Sequence, residues 1–374
     1  MRKIQLGAIL LLLGMLFSMV SCVSDNNTPS PPEKEPTPST NTTEDPTLND
    51  PTVKDPTPHD PTPDIPLPET PFITLPSFPM AENRGDLILV NRDYHFDSDL
   101  VLSELLPVQS AVSDPELAEY LKVERPDMAL TEITAYAFAQ LSKGMQTALS
   151  CDKKIHVYSA FRDNAYQQSI IDDYLSRPNY GQSYVDNYVA PVGASEHHTG
   201  MAADINLIDE NKTTYSFRNA LVATEYAWIL EHAHEYGLIR RYTDDKKEFT
   251  GYNEEVWHFR YVGVPHAEYM YQNNICFEEY HILLADTAYD APLVITTSLG
   301  ETYSVYTDDP SDGLQVPRHL AYTLSGSNSG SYIVTVNGSY SGAGVIDPSV
   351  DPLTVTLCTA WYLPARKADM PVYE

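Results

Sequence analysis

The sequence predicts an α+β fold, in which helices surround a small antiparallel sheet and a β-rich appendage follows at the C-terminus. Two observations support this prediction. From residue 87 to residue 284, helical and strand-like patterns are mixed without the regular strand–helix alternation of a parallel sheet. After residue 285, short β-type runs are separated by turn-forming clusters of Gly, Ser and Asp. The chain has 374 residues, 42% of them hydrophobic, and can build a buried core in more than one domain.

Residues 81–284, which include the region of mixed helical and strand-like patterns, are expected to form one folded domain. Apolar residues at helical spacing predict helices over 131–149, 164–174 and 224–236, and Gly237 would end the last of them. Short apolar or alternating runs predict strands at 87–91, 155–157, 202–207 and 256–262.

The C-terminal region, 285–374, is expected to be rich in strands. Four β-type runs, at 294–295, 303–306, 322–324 and 332–336, predict a small β domain from about residue 290 to residue 345. A further β-like run lies at 353–361, and the sequence leaves open whether it joins that domain.

The N-terminus has the pattern of an export signal. Arg2 and Lys3 precede an apolar run over 4–20, and Ser21 then precedes Cys22. This segment resembles a bacterial lipobox, which implies that 1–22 is a lipoprotein signal peptide and that Cys22 becomes the lipidated first residue. We therefore expect an extracytoplasmic protein that contacts the membrane through its lipid anchor only. A simple signal peptide with an incidental cysteine is the alternative.

Residues 23–80 are expected to form a disordered tether rich in Pro, Thr and Asp. They hold 16 of the 29 prolines and repeat Asp-Pro-Thr every five residues from residue 45 to residue 62. Such a composition cannot bury enough apolar surface to offset its ordering entropy, and its prolines favour an extended chain. A stiff spacer would hold a folded domain away from the membrane, whereas a passive linker would have no particular length requirement.

The formal charge of −29 excludes one large class of function. Nucleic-acid binding relies on clustered Lys and Arg, and this chain has 23 basic against 52 acidic side chains. Docking on anionic lipid through a basic patch is disfavoured for the same reason. Only three cysteines remain after Cys22, so a disulfide framework is not expected, and we interpret them as buried apolar residues.

Two groups of residues carry the candidate chemistry. The first, 195–204, contains His197 and Asp204, and the second, 255–258, contains Glu255 and His258. A catalytic zinc site uses three nitrogen, oxygen or sulfur ligands and keeps one position open. Two His and one Asp meet that requirement, and Glu255 could take the proton of an attacking water. Each group alone would more often be a polar loop or a corner of the core.

Together the two groups resemble the VanY-type zinc D-alanyl-D-alanine carboxypeptidases, which belong with lysostaphin-like peptidases and hedgehog-like domains. Ser-x-His-x-x-Gly-x-Ala-x-Asp at 195–204 is followed by Glu-x-Trp-His at 255–258. The segment 159–162, Ser-Ala-Phe-Arg, is similar to the Ser-x-Tyr-Arg segment of the family, although Phe161 replaces the usual Tyr. The resemblance covers about residues 87–284 and implies that the small sheet and its helices surround a zinc site.

The resemblance implies a role for each residue of the metal site. His197, Asp204 and His258 would be the ligands of Zn²⁺. Glu255 would be the general base and later the acid that protonates the leaving amine. His198 is not at a motif position, and we expect it to be an exposed neighbour of the ligands.

The remaining matched residues are expected to face the substrate. Arg162 would be catalytic and pair with a carboxylate or a developing oxyanion, unless it forms a structural salt bridge with an acid such as Asp163. Gln167 and Ser195 would hydrogen-bond the substrate, and Trp257 would shape the wall of the pocket. Ordinary structural hydrogen bonds and a core position are the alternatives for these three.

The expected function is removal of the terminal D-Ala from peptidoglycan stem peptides at the cell wall, with Zn²⁺ as cofactor. Cleavage of an L,D bond, or cleavage within the stem peptide, would use the same site. A non-catalytic wall-binding module is an alternative of a different class. We expect the stem peptide to be the partner of a monomeric protein that does not bind nucleic acid.

Overall fold

The computed structural model describes residues 72–75, 83–309, 311, 313–318 and 320–338. The signal segment with Cys22, most of the expected tether and the β-like run at 353–361 lie outside the described residues. Every described residue falls within one compact unit. None of the helices in this part of the chain combines the length and apolar character needed to cross a bilayer.

The described residues form both helices and strands, and the elements after α9 are strands. The helices are α1 Val108–Ala111, α2 Pro115–Ala118, α3 Glu132–Leu149, α4 Asn164–Ser176, α5 Gln182–Tyr188, α6 Ala223–His232, α7 Lys247–Thr250, α8 Val264–Asn273 and α9 Phe277–Leu284. Short 3-10 helices lie at Ser98–Glu104, Glu196–Thr199, Ala220–Val222, Ala233–Tyr236 and Asp244–Lys246. The strands are β1 Phe72–Leu75, β2 Leu105–Pro107, β3 Leu121–Val123, β4 Ala129–Thr131, β5 Lys154–Ser159, β6 Ala202–Ile208, β7 Thr214–Tyr215, β8 Leu238–Tyr242, β9 Glu255–Tyr261, β10 Leu293–Thr296, β11 Thr302–Asp308, β12 Leu314–Pro317, β13 Tyr322–Gly326 and β14 Tyr332–Asn337.

The central sheet confirms the predicted α+β class. Its strand order is β3-β5-β6-β9-β8, with β7 beside β6, and β2 pairs separately with β4. Neighbouring strands in this sheet are antiparallel except β3 and β5, which are parallel. The sequence predicted an antiparallel sheet, and this one parallel pair departs from that prediction. The pairing of β6 with β9 sets Asp204 directly opposite His258. The sheet register therefore brings the two sequence motifs to one place.

Helix α3 packs on this sheet and forms its main core. Ile133, Leu141 and Met145 are buried, as the helical spacing predicts. The predicted helices at 164–174 and 224–236 are also present, the latter as α6 and the following 3-10 turn. Gly237 ends that turn with a left-handed backbone, φ 75°, as the sequence indicates.

The expected strand at 87–91 is not formed. Residues 87–90 are buried, but their backbone groups bond to the C-terminal region instead of to a strand ladder. The Leu87 N–H donates to Ser325 Oγ (2.9 Å), the Leu89 N–H donates to the Ser327 carbonyl (3.1 Å), and Asn328 Nδ2 donates to the Leu89 carbonyl (3.0 Å). The apolar run was correctly expected to be buried, but its hydrogen-bond partners are Ser325 in β13 and residues just after that strand, all distant in sequence.

The C-terminal strands form a separate antiparallel sheet with the order β10-β11-β14-β13, which confirms the predicted β-rich region. One hydrophobic cluster crosses the expected boundary at 284/285, with Leu89 and Phe277 on one side and Ile295 and Val305 on the other. The two regions therefore share a core.

Strand β1 lies within the range expected to be a disordered tether. Phe72–Leu75 pairs antiparallel with β12, and Phe72 is buried against the C-terminal apolar residues. Residues 72–75 of the expected tether are thus ordered, because this short apolar segment can complete a strand pair with a segment more than 200 residues away.

Replacing Gly237 by alanine is expected to destabilise the fold more than replacing Gly251. Both glycines end a helical turn at nearly the same φ, 75° and 76°. Holding an alanine in this left-handed conformation therefore costs about 1 kcal/mol of stability at either position. A Cβ at Gly237 would lie 2.8 Å from the Tyr261 ring and 3.0 Å from the Gly263 backbone, whereas at Gly251 the nearest atom is at 3.9 Å. Urea unfolding should show an additional loss of about 1–3 kcal/mol for Gly237→Ala. Equal losses for the two variants would contradict the predicted clash.

Candidate active site

Three side chains on three segments converge at the centre of the sheet. His197 lies in the 3-10 helix Glu196–Thr199, Asp204 lies on β6, and His258 lies on β9. Asp204 Oδ1 is 2.9 Å from His258 Nδ1 and 3.3 Å from His197 Nε2. One ligand atom from each residue lies within 4.8 Å of the others, and all three side chains are buried.

The turn after the first His brings these ligands together. Gly200 has a left-handed backbone, φ 68°, and leads the chain from the 3-10 helix into β6. Glycine adopts this backbone conformation at little cost, whereas a side chain here would be strained and would also displace the terminal methyl group of Leu105.

The outer nitrogen of each His already has a partner. His197 Nδ1–H donates to the Ala160 carbonyl (2.7 Å), which leaves Nε2 with its lone pair for a metal. His258 Nε2–H donates to Glu196 Oε2 (3.2 Å), which directs Nδ1 towards Asp204. The three inward-facing atoms, two imidazole nitrogens and one carboxylate oxygen, fit the donor set of a catalytic zinc site.

The charged surroundings shift the pKa values of these groups. Burial lowers the pKa of His197 to about 4, which favours the neutral imidazole that a metal requires. Burial also acts to lower the pKa of His258, but its hydrogen bonds to Asp204 and Glu196 outweigh burial and raise the pKa to about 9. Ligation through Nδ1 of His258 requires that the proton on this atom leave.

Glu196 is a functional candidate that the sequence reasoning missed. Its side chain is fully buried, and it accepts from Arg241 Nε (2.8 Å) as well as from His258. Burial would raise the pKa of Glu196, but Arg241, His258 and Arg260 hold it well below its usual range. Arg241 in turn donates to Glu278 on α9 (2.8 Å). Its place between Ser195 and His197 was the only local signal, because its partners come from distant strands and helices.

Glu255 begins β9 and lies in the same cleft as the three ligands. It is 7% exposed, and burial raises its pKa to about 8, with Asp204 adding to that effect. A cation at the neighbouring donor set would lower this pKa again. The carboxyl group is therefore placed where it can exchange a proton with a reactant.

Arg162 lines the cleft, but it does not form the salt bridge with Asp163 that the sequence analysis gave as an alternative. Its Nη2 donates to Asp204 Oδ2 (2.7 Å) and to Ser159 Oγ (2.8 Å), while its Nε also donates to Ser159 (3.0 Å). Asp163 instead caps α4 by accepting from the Tyr166 N–H (2.6 Å). Arg162 thus fixes the outer oxygen of a candidate metal ligand and keeps its side chain 15% exposed to the cleft.

The other expected substrate contacts lie at different depths. Ser195 and Trp257 line the cleft, although Ser195 is only 2% exposed and Trp257 also packs against the main core. Gln167 has no exposed surface and donates to the Ala190 carbonyl (2.7 Å), and its Oε1 faces Arg162 Nη1 at 3.4 Å. The geometry places Gln167 behind Arg162, so its expected contact with substrate stays a prediction.

His198 is not the exposed neighbour that we expected. It is fully buried, its Nδ1–H donates to the Arg162 carbonyl (2.6 Å), and its Nε2 accepts from the Gly193 N–H (3.1 Å). Both ring nitrogens hold backbone segments, so His198 supports the loop that carries Arg162. The candidate ligand group among the described residues consists of His197, Asp204 and His258.

Comparison with known proteins identifies what this arrangement is similar to. A family model described as "VanY: D-alanyl-D-alanine carboxypeptidase" matches residues 128–264. The chain is 36% identical over 151 residues to a D-alanyl-D-alanine carboxypeptidase of Enterococcus faecium, covering 40% of this chain and 46% of that one. It is 35% identical over 143 residues to the bifunctional D-Ala-D-Ala dipeptidase and D-Ala-D-Ala carboxypeptidase VanXYC of Enterococcus gallinarum, covering 37% of this chain and 73% of that one.

A solved structure has a similar fold. The vancomycin resistance D,D-dipeptidase VanXYg, in complex with a D-Ala-D-Ala phosphinate analogue, superposes with a TM-score of 0.56 and 26% sequence identity. The similarity covers 69% of this chain and 95% of that one. It therefore extends well beyond the residues of the two motifs.

Replacing Glu196 by glutamine is expected to weaken zinc binding about tenfold, because His258 loses its anionic hydrogen-bond partner. Glu278→Gln is the matched control, since it also removes a carboxylate from Arg241 but leaves the Glu196–His258 contact in place. Zinc affinity is measured by competition with a chelating dye, and urea unfolding of the metal-free proteins reports any loss of fold. Equal zinc affinities for the two variants would show that Glu196 does not act through His258.

Proposed function

The chain belongs to the VanY family of D-alanyl-D-alanine carboxypeptidases, and on that premise we propose that it is a zinc-dependent carboxypeptidase that removes the C-terminal D-Ala from peptidoglycan stem peptides. The observation that carries this proposal is the convergence of His197, Asp204 and His258 beside Glu255 in one cleft. The cleft has a volume of about 350 Å³ and is open to solvent, as a peptide end requires.

The donor set supports zinc as the metal. Two imidazole nitrogens and one carboxylate oxygen are the ligands of many catalytic zinc sites, and the partners on Ala160 and Glu196 orient both rings. When bound there, zinc would polarise the scissile carbonyl and lower the pKa of water.

Glu255 is the proton carrier in this proposal. It is buried in the cleft beside the ligands, and no salt bridge to it is found among the described residues. It takes a proton from the attacking water and returns it to the amine of the departing D-Ala. A raised pKa in the metal-free protein is consistent with a carboxylate that gains its charge only when a cation is near.

Arg162 has two tasks in this proposal. Two of its nitrogens hold Ser159 and Asp204, so it positions a metal ligand. Among the described residues, its Nη1 makes only a long contact with Gln167, 3.4 Å, and retains an N–H that can donate to a substrate carboxylate or to the charged carbonyl oxygen.

We infer that the enzyme acts outside the cytoplasm as a membrane-anchored lipoprotein. The support is the signal-like segment 1–22, the lipobox-like residues that end at Cys22, and the proline-rich segment that follows. The substrate, a polymer of the cell wall, would be met in the same compartment.

Product analysis with synthetic stem peptides tests the reaction. The full-length protein is expected to release D-Ala from a pentapeptide that ends in D-Ala-D-Ala and to leave the resulting tetrapeptide intact. A chelator should abolish turnover, and added zinc should restore it, because the donor set holds the metal. Mass spectrometry identifies the released fragment.

Other outcomes of this experiment would identify other functions. Release of D-Ala from the tetrapeptide would indicate an L,D-carboxypeptidase, and an internal fragment would indicate an endopeptidase. A protein that binds no zinc and cleaves neither peptide would indicate a wall-binding module.

Glu255→Ala is expected to retain zinc and to lose nearly all turnover, because the ligands stay in place and the proton carrier is removed. Glu254→Ala is the matched control: it removes the adjacent carboxylate, which pairs with Arg240 outside the cleft. Zinc content is measured by elemental analysis and turnover by D-Ala release. A Glu255→Ala protein that releases D-Ala at the normal rate would remove Glu255 from the mechanism.

A further inference from the structure

Four tyrosines on α4, α5 and the turn between them form an aromatic wall, which we define as Tyr174, Tyr180, Tyr184 and Tyr188. The ring of Tyr184 is at the centre, with its centroid 4.9 Å from Tyr174, 4.5 Å from Tyr180 and 4.9 Å from Tyr188. Tyr184 and Tyr188 are nearly parallel, with 27° between their planes. Each of these distances is within the range of favourable ring pairs.

The aromatic wall does not serve to fill a core. Its four rings are only partly buried, and Tyr180 is 45% exposed. None of them belongs to a hydrophobic core cluster among the described residues. The only buried residue of α5 is Val185, and the only one of α4 is Gln167. A group of adjacent, half-exposed aromatic rings in a soluble domain marks a surface that binds something.

This wall is continuous with the candidate active site. Tyr174, Tyr184 and Tyr188 line the same cleft as Glu255 and the ligands. Tyr158 on β5 also lines this cleft. A ligand that reaches Glu255 can therefore extend along the rings.

The chemistry of the wall selects one part of a peptide substrate. The guanidinium of Arg177 lies over Tyr174 at 5.1 Å and over Tyr180 at 5.9 Å. The other two rings, Tyr184 and Tyr188, line the cleft and are not covered by this cation. Tyrosine rings are neutral and rigid, and they offer a flat apolar face with a polar tip. They suit uncharged peptide groups and not the terminal carboxylate, for which Arg162 is placed.

We propose that the aromatic wall binds the acyl side of the substrate, that is, the residues N-terminal to the scissile bond, and so makes the protein selective for long peptides over short ones. The identity of the peptide rests on the proposed function, whereas the binding of an extended peptide along the rings rests on the cleft itself. Tyr184, which contacts the other three rings, is the specificity-determining residue.

The test compares two probes that share their last two residues, N-acetyl-D-Ala-D-Ala and N-acetyl-L-Ala-L-Ala-L-Lys-D-Ala-D-Ala. Their binding to the full-length, zinc-loaded Glu255→Ala protein is measured by calorimetry, so that hydrolysis does not interfere. In this Glu255→Ala background, the further substitution Tyr184→Ala is expected to weaken binding of the long probe about tenfold. Binding of the short probe should not change, because only the long probe reaches the rings. In the protein that retains Glu255, Tyr184→Ala should raise KM for the long probe with little change in kcat.

Three controls make the outcome decisive. Tyr184→Phe keeps the ring and should bind the long probe normally, and Tyr188→Ala should repeat the effect if Tyr184→Ala fails to fold. Tyr271→Ala removes another exposed tyrosine, one stacked on His234 away from the cleft, and should change neither probe.

The proposal is overturned if Tyr184→Ala and Tyr188→Ala weaken both probes equally, or weaken neither. If the native protein cleaves neither probe but the long probe still depends on Tyr184, the proposed reaction is wrong and the aromatic wall remains a peptide-binding surface.

Discussion

The arrangement of the site depends on the ion pairs that the buried carboxylate of Glu196 makes with its neighbours. It has no contact with water, and it is stabilised by Arg241, Arg260 and the imidazole of His258. Such a buried charge network adds little net stability compared with an apolar core, but removing one member leaves the others uncompensated. The network therefore fixes geometry: it joins the motif loop, the two strands β8 and β9 and, through Glu278, helix α9.

The sequence predicted the parts of the fold that depend on local pattern. The spacing of apolar residues located α3, and the β-type runs located the C-terminal strands β11, β13 and β14. The candidate ligands could be named from two short motifs, although the register that sets Asp204 opposite His258 comes from the pairing of β6 with β9.

The errors occurred where a partner is distant in sequence. Residues 87–91 were expected to form a strand, but the N–H groups of Leu87 and Leu89 donate to Ser325 and Ser327, more than 230 residues away. His198 was expected to be exposed, since nothing local shows that the carbonyl of Arg162 and the N–H of Gly193 enclose it. Glu196 was missed because its function lies in long-range charge pairs, and the aromatic wall because its four rings meet only when α4 and α5 pack together.

The pairing of β1 with β12 has a mechanical consequence. Phe72–Leu75 enters the fold at the C-terminal strands, far along the chain from β6 and β9, which hold the reactive groups. Tension on the chain ahead of Phe72 would act first on the four-residue ladder between β1 and β12. Such a pull would therefore meet this ladder before it reaches the strands that hold Asp204 and His258.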